Sequence, residues 1–333
     1  MEVIKFFWKS LTLVNTNHKG HFLFYVLLNN FHIFARDRLT LMNKIITFLL
    51  LSSILITGCA QSKKDYVVTI KTSYGDMVAI LYDETPRHKE NFIKLVNEKF
   101  YDSLLFHRVM NEFMIQGGDP DSKKAAPNQP VGMGGPGYTL DAEFNPKFFH
   151  EKGTLAAARQ PDNVNPKKAS NGSQFYIVHG KPMSEAELMQ LEENIRYARK
   201  NQYLREVLTM PKYESVRNQV IERQQAQDGE WLTSFFEKSD TLIQLEKPDY
   251  RPFAFSPAQK EAYVKVGGAP HLDGDYTVFG KVIKGFDVID KIAAQPVGSG
   301  HRPVEDIRMF VTVEEMSRKK IEKEYGYVYP DKK

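Results

Sequence analysis

The 333 residues of the chain are enough for one large domain or two modest ones with a real hydrophobic core. A single cysteine excludes an internal disulfide framework. The formal charge of +4 is local, because residues 1–58 hold six of the 45 basic residues and two of the 41 acidic ones. The remaining chain is neutral, which argues against a nucleic-acid-binding protein, since such proteins need a net basic face.

The N-terminal region predicts a targeting segment. A lysine at position 44 precedes an apolar run over residues 45–56, which is shorter than the roughly 20 residues that span a bilayer but suits a signal peptide. The run leads into Gly58 and Cys59, which resemble the lipobox of bacterial lipoproteins, a motif that is cleaved before the cysteine and lipidated on it. We therefore expect residues 42–58 to be a lipoprotein signal peptide. The lipid on Cys59 would anchor the protein in the cell envelope, facing the periplasm or on the outer membrane.

Two further expectations concern the same region. Signal peptides rarely start so far from the N-terminus, so we expect residues 1–41 to be an upstream extension from a mis-assigned start, with Met42 as the true first residue. The polar stretch 59–65 predicts a linker. A cysteine buried in a core helix is the alternative interpretation of Cys59, and the polar linker directly after it favours lipidation.

After the linker, short apolar runs predict a fold built mainly from β-strands. Alternating apolar residues over 66–83 predict a β-hairpin whose turn uses the conformational freedom of Gly75. A helix is predicted next, with Thr85 as its N-cap and Pro86 at its first position. Further β-type runs lie at 105–109, 112–116, 153–158, 174–178, 276–283 and 307–313. With a second short helix near 285–294, the pattern predicts a closed antiparallel β-barrel with a helical cap.

One interval of this domain differs in composition from the rest. Within the domain, placed at residues 66–315, the stretch 181–256 has helical periodicity and begins with a capping-box pattern at Ser184. We interpret it as a helical insertion with a second helix over roughly 213–237. It is either a solvated decoration or an overhang that selects substrates or docks a partner. Beyond the domain, residues 316–333 predict a charged C-terminal tail.

The segment "FHRVMNEFMIQGGD", residues 106–119, looks unlike an ordinary structural element. Large apolar residues crowd around Arg108 and Gln116, side chains that normally face water. An arginine paired with an acid such as Glu143 would be the structural explanation. His107, His179 and His271 have no metal-ligand spacing, so we expect no metal. We also expect no cofactor.

A resemblance to a known family explains this segment better. Four motifs occur in the order in which that family carries them: "FHRVMNEFMIQGGD" (106–119), "GTLAAAR" (153–159), "NGSQFYIV" (171–178) and "HLDGDYTVFGKVIKGFDVIDKI" (271–292). Together they resemble the cyclophilins, the cyclosporin-binding class of peptidyl-prolyl cis-trans isomerases. The resemblance covers about 66–180 and 257–313, with the helical insertion between. It implies an eight-stranded barrel capped by two helices, with a peptide-binding pocket on one barrel face.

The resemblance also implies roles for individual residues. Arg108 would be the catalytic guanidinium, supported by His107 and by the hydrogen-bonding side chain of Gln116. The implied substrate-binding positions are Phe113, Met114, Ala158, Arg159, Gln174, Tyr176, His271, Leu272 and Tyr276. Four of these depart from the best-known members: Arg159 stands for Asn, Tyr176 for Phe, His271 for Trp and Tyr276 for His. Core packing is the default interpretation of an adjacent apolar pair, so we expect Phe113 and Met114 each to have one face in the barrel and one in the pocket.

These residue types suffice for the chemistry that the resemblance implies. Rotation about a peptide bond faces a barrier of about 20 kcal/mol because resonance is lost at the twisted state. No covalent bond breaks, so a catalyst needs only to bind the twisted amide more tightly than the planar one. The twisted proline nitrogen becomes amine-like and can accept a hydrogen bond. A fixed guanidinium in an apolar pocket can donate it.

The expected function is therefore that of a prolyl isomerase for exported proteins. Its expected partners are proline-containing peptides or unfolded exported proteins, and the membrane through the lipid anchor. We expect no nucleic-acid partner, and a monomer. The alternative is a non-catalytic proline-peptide binding module or chaperone on the same fold. A third, weaker alternative is an adhesin or partner-docking lipoprotein in which the insertion matters most.

One further motif has a misleading form. The stretch "GMGGPG", residues 132–137, satisfies the G-x-G-x-x-G fingerprint of dinucleotide-binding proteins. It lacks a preceding strand and a following helix, and Pro136 lies inside it. We predict instead a tight glycine loop beside the pocket, where the chain approaches a ligand closely.

Overall fold

The computed structural model describes residues 63–127 and 129–329. The predicted upstream extension, the signal peptide and Cys59 lie outside the described residues, as does most of the linker. Within the described part, no helix combines the length and apolar character that crossing a membrane requires.

The architecture is a closed barrel of eight antiparallel strands, which confirms the predicted mainly β fold. The strands in chain order are β1 (Lys64–Thr72), β2 (Gly75–Leu81), β3 (Leu104–Met110), β4 (Met114–Gly117), β5 (Thr139–Leu140), β6 (Thr154–Ala157), β7 (Ser170–Asn171), β8 (Phe175–Val178), β9 (Val278–Lys284) and β10 (Arg308–Ser317). Around the barrel the order is β1-β10-β3-β4-β8-β6-β9-β2, and β2 pairs with β1 to close it. Strands β5 and β7 form a separate two-stranded sheet.

Helices cover the barrel and form the insertion. They are α1 (Pro86–Asn97), α2 (Glu185–Leu208), α3 (Glu214–Gln225), α4 (Gly229–Glu246), α5 (Pro257–Lys265), α6 (Phe286–Ala293) and α7 (Arg318–Tyr325). The apolar faces of α1 and α6, including Phe92, Leu95, Ile289 and Ile292, pack in the same buried cluster as the barrel interior. Each such fully buried side chain contributes about 1.5–3 kcal/mol. These two helices are the predicted cap.

Helix α1 begins where the sequence predicts, but a distant residue caps it. Pro86 is its first residue and Thr85 lies at the N-cap, yet the Thr85 hydroxyl donates to the Tyr82 carbonyl instead of accepting from the helix. The Glu143 carboxylate takes that role and accepts from the backbone N–H of His88 at 3.0 Å. The same carboxylate accepts from the Arg87 N–H at 3.2 Å. A negative charge at this end also suits the helix dipole.

A bulge in β3 places the arginine. Residues of a regular strand alternate between the two faces of a sheet. Phe106 and Val109 both lie in the interior cluster although they are an odd number of residues apart. The pairing with β4 shifts between Phe106 and Arg108, which accounts for the change of phase. His107 and Arg108 are therefore both turned away from the barrel interior.

The insertion is helical as predicted, but one of its expected helices is in fact two. The capping box of α2 is confirmed, since Ser184 and Glu187 bond each other's backbone N–H. The single helix expected over 213–237 is wrong: α3 ends at Gln225 and α4 begins at Gly229. Asp228 accepts from the Trp231 N–H and caps α4, so the Asp-Gly pair is the signal that the periodicity concealed.

The C-terminal segment differs from the expected charged tail. Strand β10 extends to Ser317, and α7 follows it directly. Ile321 and Tyr329 are buried in one cluster with Val67 and Val78 of the first two strands. The apolar side chains between the charges therefore attach this segment to the outside of the barrel.

Candidate functional site

A cavity of about 110 Å³ lies against the outer wall of the barrel. Its lining consists of Arg108, Phe113, Met114, Gln116, Ala158, Arg159, Tyr176, Leu272 and Tyr276. All nine are among the residues that the sequence predicts for the site. The other three, His107, Gln174 and His271, do not belong to the lining.

Strand register brings the central residues together. Arg108 on β3 lies opposite Gln116 on β4, and Gln116 lies opposite Tyr176 on β8. Directly opposite residues on one face have Cβ atoms about 5 Å apart, so these three side chains are neighbours across the strands. Residues as far apart in the sequence as Arg108 and Tyr176 thus share one patch of surface.

Phe113 and Met114 take part only in the outer wall. We expected each of them to share the barrel core and the pocket. Instead Met114 is buried in a cluster with Ala156 and Tyr176, and Phe113 packs against that cluster. The interior position belongs to Ile115. The alternation of β4 gives the reason, because neighbouring residues of a strand face opposite sides.

The charge of Arg108 has no acidic partner among the described residues. Its Nη1 donates to Oε1 of Gln116 at 3.2 Å, and its Nη2 to the Met110 sulfur at 3.1 Å. The Phe113 ring centroid is 5.9 Å from the guanidinium carbon. Burial lowers the pKa of Arg108, but an arginine keeps its charge in proteins. Glu143, the acid that a structural role would require, lies at helix α1 instead.

Amide side chains extend this arrangement away from the cavity. Nε2 of Gln116 donates to Oε1 of Gln174 at 3.0 Å. Nε2 of Gln174 donates in turn to the carbonyls of Gly132 at 3.0 Å and Gly134 at 2.7 Å. We call Arg108, Gln116 and Gln174 the pocket row. Gln174 therefore orients Gln116 from behind.

The segment 132–137 is a glycine loop beside the site, as predicted. Its backbone is held by Asp119, whose carboxylate accepts from the N–H of Gly132 and, at 3.4 Å, from that of Gly134. A Cβ on Gly134 would collide with this carboxylate. Asp119, which holds the glycine loop, and Met110, which contacts Arg108, are neighbours of the site that the sequence does not single out. The only signal for Asp119 is an acid directly after two glycines.

His107 does not touch the cavity. Its side chain is 3% exposed and lies under the glycine loop, with Gly132 packed against the ring. Neither ring nitrogen has a hydrogen-bond partner among the described residues. Burial lowers the pKa of this imidazole to about 4, and the charge of Arg108 acts in the same direction. His107 is therefore neutral at pH 7 and supports the loop rather than a substrate.

The opposite wall of the cavity is built from Arg159 and Tyr276. The guanidinium carbon of Arg159 lies 4.4 Å from the Tyr276 ring centroid. Nε of Arg159 donates to the Asp275 carbonyl at 2.7 Å, and Nη1 to the Asp162 carboxylate at 2.6 Å. Unlike Arg108, this arginine is paired with an acid and held over an aromatic ring.

His271 supports the cavity from behind its lining. Its ring lies 5.3 Å from that of Phe113, centroid to centroid, and burial lowers its pKa.

A second set of polar side chains has the residue types of a hydrolase. Oγ of Ser170 lies 2.9 Å from Nε2 of His88, and Nδ1 of His88 lies 2.6 Å from the Glu143 carboxylate. We call these three residues the buried row. Ser170 is 1% exposed and His88 3%, so a substrate carbonyl has no access to the hydroxyl. Burial also lowers the pKa of His88. The row serves structure, by tying helix α1 to the loops beside it.

Among residues 63–127 and 129–329, no group of three or more His, Cys, Asp or Glu could hold a metal ion.

The fold and the site define a class of protein: a closed β-barrel with a partly apolar pocket on its outer wall, lined by a guanidinium that has no acidic partner among the described residues. The family described as cyclophilin type peptidyl-prolyl cis-trans isomerase/CLD matches residues 67–194 and 256–313. The unmatched interval, 195–255, lies within the helical insertion. The chain belongs to the cyclophilin-type peptidyl-prolyl cis-trans isomerases.

Individual relatives agree with this assignment. A Streptococcus pyogenes serotype M6 protein, named as a bifunctional phosphatase/peptidyl-prolyl cis-trans isomerase, is 32% identical over 246 residues, which are 72% of this chain and 37% of that protein. The chain thus spans little more than a third of that relative. A Staphylococcus haemolyticus protein, assigned by name to the peptidyl-prolyl cis-trans isomerases, is 31% identical over 72% of this chain and 86% of its own length.

A solved structure is also similar. It is a cyclophilin-type isomerase of Cryptosporidium parvum, determined in the presence of the dipeptide Ala-Pro, with 20% identity and a TM-score of 0.41. The match covers 74% of this chain and 98% of that one.

Proposed function

We propose that this chain accelerates cis–trans rotation about Xaa-Pro bonds in exported proteins by binding the twisted amide in the cavity beside Arg108. One observation carries the proposal. The Arg108 guanidinium is bordered by the Phe113 ring and two methionine sulfurs, bonds an amide oxygen, and has no carboxylate partner among the described residues. A charge held in this way is available to a ligand.

The energetics match such a site. At a prolyl bond the two planar states differ by only about 0.5–1 kcal/mol, yet their exchange takes tens to hundreds of seconds. A preference of about 7 kcal/mol for the twisted state over the planar ones gives roughly a 10⁵-fold acceleration. No proton or electron pair has to leave the substrate, so the absence of a general base from the cavity lining is consistent with this reaction.

Five of the lining residues have a stated role in this mechanism. The apolar walls, with Phe113, Met114 and Leu272, hold the proline ring and exclude water, which strengthens any hydrogen bond made inside. Arg108 donates to the proline nitrogen only when the amide is twisted, because the planar nitrogen has no free lone pair. Gln116, oriented by its bonds within the pocket row, holds the substrate backbone while the carbonyl side rotates.

The test is exchange spectroscopy on a short Xaa-Pro peptide with the parent protein and its Arg108→Ala variant. The matched control is Arg196→Ala, which removes an arginine of the insertion that bonds Glu193 and the Phe253 carbonyl. Fast exchange in the parent and the control, lost in Arg108→Ala, supports the proposal. Peptide signals that shift without faster exchange would mean a non-catalytic binding module.

The location of this activity is a separate part of the proposal. The sequence pattern alone supports this part. We propose that the mature protein lies in the cell envelope, tethered through lipid on Cys59. The expected result is that the parent sediments with membranes and that Cys59→Ser appears in the soluble fraction. Intact mass of the purified parent should include a diacyl group and lack residues 1–58. An unmodified cysteine in a full-length chain would contradict the anchor.

A further inference from the structure

A buried hydrogen-bonded chain leads away from the pocket wall. The Tyr176 hydroxyl lies 3.0 Å from Nε2 of His150, and Nδ1 of His150 lies 2.9 Å from Oδ1 of Asp273. The three side chains are 4%, 1% and 6% exposed. Tyr176 lines the cavity, so this chain begins at a surface that a substrate would touch.

The hydrogen bond at the acidic end of this chain has a definite direction. The Asp273 carboxylate can only accept, so Nδ1 of His150 donates to it. Nε2, the other ring nitrogen, is then the hydrogen-bond partner of the Tyr176 hydroxyl. The His150 ring also lies nearly parallel to that of Tyr176, with 6.0 Å between the centroids. A phenylalanine at position 176 would need no such support, whereas a buried hydroxyl without a partner is unfavourable by about 1–3 kcal/mol.

Two side chains of helix α5 donate hydrogen bonds to the same carboxylate. Oδ2 of Asp273 accepts from the Tyr263 hydroxyl at 2.6 Å and from Nε2 of Gln259 at 2.9 Å. With the His150 backbone N–H at 2.9 Å and the His150 ring on Oδ1, the carboxylate has four donors, which satisfies its lone pairs.

The insertion holds these donors in place. Tyr263 is fully buried in a cluster with Leu188 and Phe255, both of which belong to the insertion. Arg199, on insertion helix α2, donates from Nη2 to the Asp273 carbonyl at 2.7 Å. Asp273 is thus connected to the insertion in two ways. Its side chain bonds Tyr263, which packs against the insertion, and its backbone carbonyl accepts from Arg199 of the insertion.

We propose that Tyr263 and Asp273 are positioning residues through which the helical insertion fixes the Tyr176 wall of the prolyl pocket. The proposal rests on the proposed function and gives the insertion a part in it. Asp273 directly follows Leu272, a second lining residue, so a shift of Asp273 moves two sides of the cavity at once. The insertion acts on substrate binding from behind the pocket wall, and neither positioning residue touches the substrate.

The test is a double-mutant cycle of Tyr263→Phe and Tyr176→Phe. The readouts are the Kd of a short Xaa-Pro peptide from NMR titration, and KM and kcat from exchange spectroscopy. Tyr263→Phe keeps the buried ring and removes one donor to Asp273. We expect it to raise Kd and KM about two- to tenfold with kcat unchanged, because the wall contributes to binding of planar and twisted states alike. In the Tyr176→Phe background, the same change should have no effect on Kd.

A matched control separates positioning from stability. Tyr250, within the insertion, is a buried tyrosine like Tyr263, and its hydroxyl donates to the Asp240 carboxylate at 2.8 Å. Tyr250→Phe should lower the melting temperature by as much as Tyr263→Phe and leave Kd unchanged. If Tyr263→Phe does not fold, Arg199→Met takes its place in the cycle. We expect Arg199→Met to raise Kd about twofold, and to have no effect on Kd in the Tyr176→Phe background.

Two results would overturn the proposal. One is an unchanged Kd in Tyr263→Phe despite a lower melting temperature. The other is a rise in Kd of equal size in both backgrounds. A parent that binds the peptide without faster exchange refutes the isomerase, while the cycle in Kd still decides whether the insertion positions Tyr176.

Discussion

The pocket row and the buried row each join three polar side chains by short hydrogen bonds, yet they differ in what surrounds them. The pocket row ends at a cavity, and its arginine has no acidic partner in the described part of the chain. The buried row ends at Ser170, which is 1% exposed, and its histidine is paired with a carboxylate. Residue types alone would favour the buried row as a catalytic site. Access to a ligand and a charge without an acidic partner among the described residues are the reasons why we propose the pocket row instead.

The largest expected effect concerns the pocket row. Arg108→Lys keeps the charge but replaces the rigid fork of donors by a single point charge. We expect kcat/KM for peptide isomerisation to fall about 100-fold, while the free energy of unfolding changes by less than about 1 kcal/mol. Exchange spectroscopy and urea unfolding of the same sample measure both. A lysine variant with the parental rate would show that charge suffices without geometry.

The next effect concerns His107, which neighbours Arg108 in sequence but is enclosed like the buried row. Its pKa is about 4 in the folded state and near 6.5 in an unfolded chain, so the unfolded chain binds more protons between these values. The stability that the neutral His107 imidazole contributes is therefore fully present at pH 7, and it is lost as the pH falls from about 6.5 towards about 4.

The expected size is about 2 kcal/mol between pH 7 and pH 5. Urea unfolding at both pH values, for the parent and for His107→Gln, isolates the contribution of this imidazole. The variant should lose about 2 kcal/mol less than the parent over the same interval. Equal losses would mean that His107 is accessible to protons in the folded state.

The smallest effect concerns the buried row. Ser170→Ala leaves Nε2 of His88 buried without a partner, which should lower the free energy of unfolding by about 1–2 kcal/mol. Because the row has no access to a ligand, kcat/KM should stay at the parental value. Thermal unfolding and exchange spectroscopy test the two statements separately. A loss of isomerisation with unchanged stability would show that the comparison between the rows is wrong.

Local patterns predicted most of the strands and the cap, because alternation and helical spacing are properties of neighbouring residues. They failed where a single capping contact overrides periodicity, as at Asp228, which divides one expected helix into two. Alternation requires Met114 and Ile115 to face opposite sides, but only the pairing of β4 with β3 and β8 decides that Ile115 takes the interior side. For the site, the family resemblance supplied the nine lining residues.

The sequence by itself determined the barrel, the helical insertion and the identity of the residues around Arg108. Tertiary structure alone decided how they are supported. Glu143 caps a helix 55 positions away. Asp273 bonds His150 across 123 positions and connects the insertion to the pocket wall. The physical reason is that hydropathy and turn propensity act over a few residues, whereas a buried carboxylate takes whichever donors the folded chain brings to it.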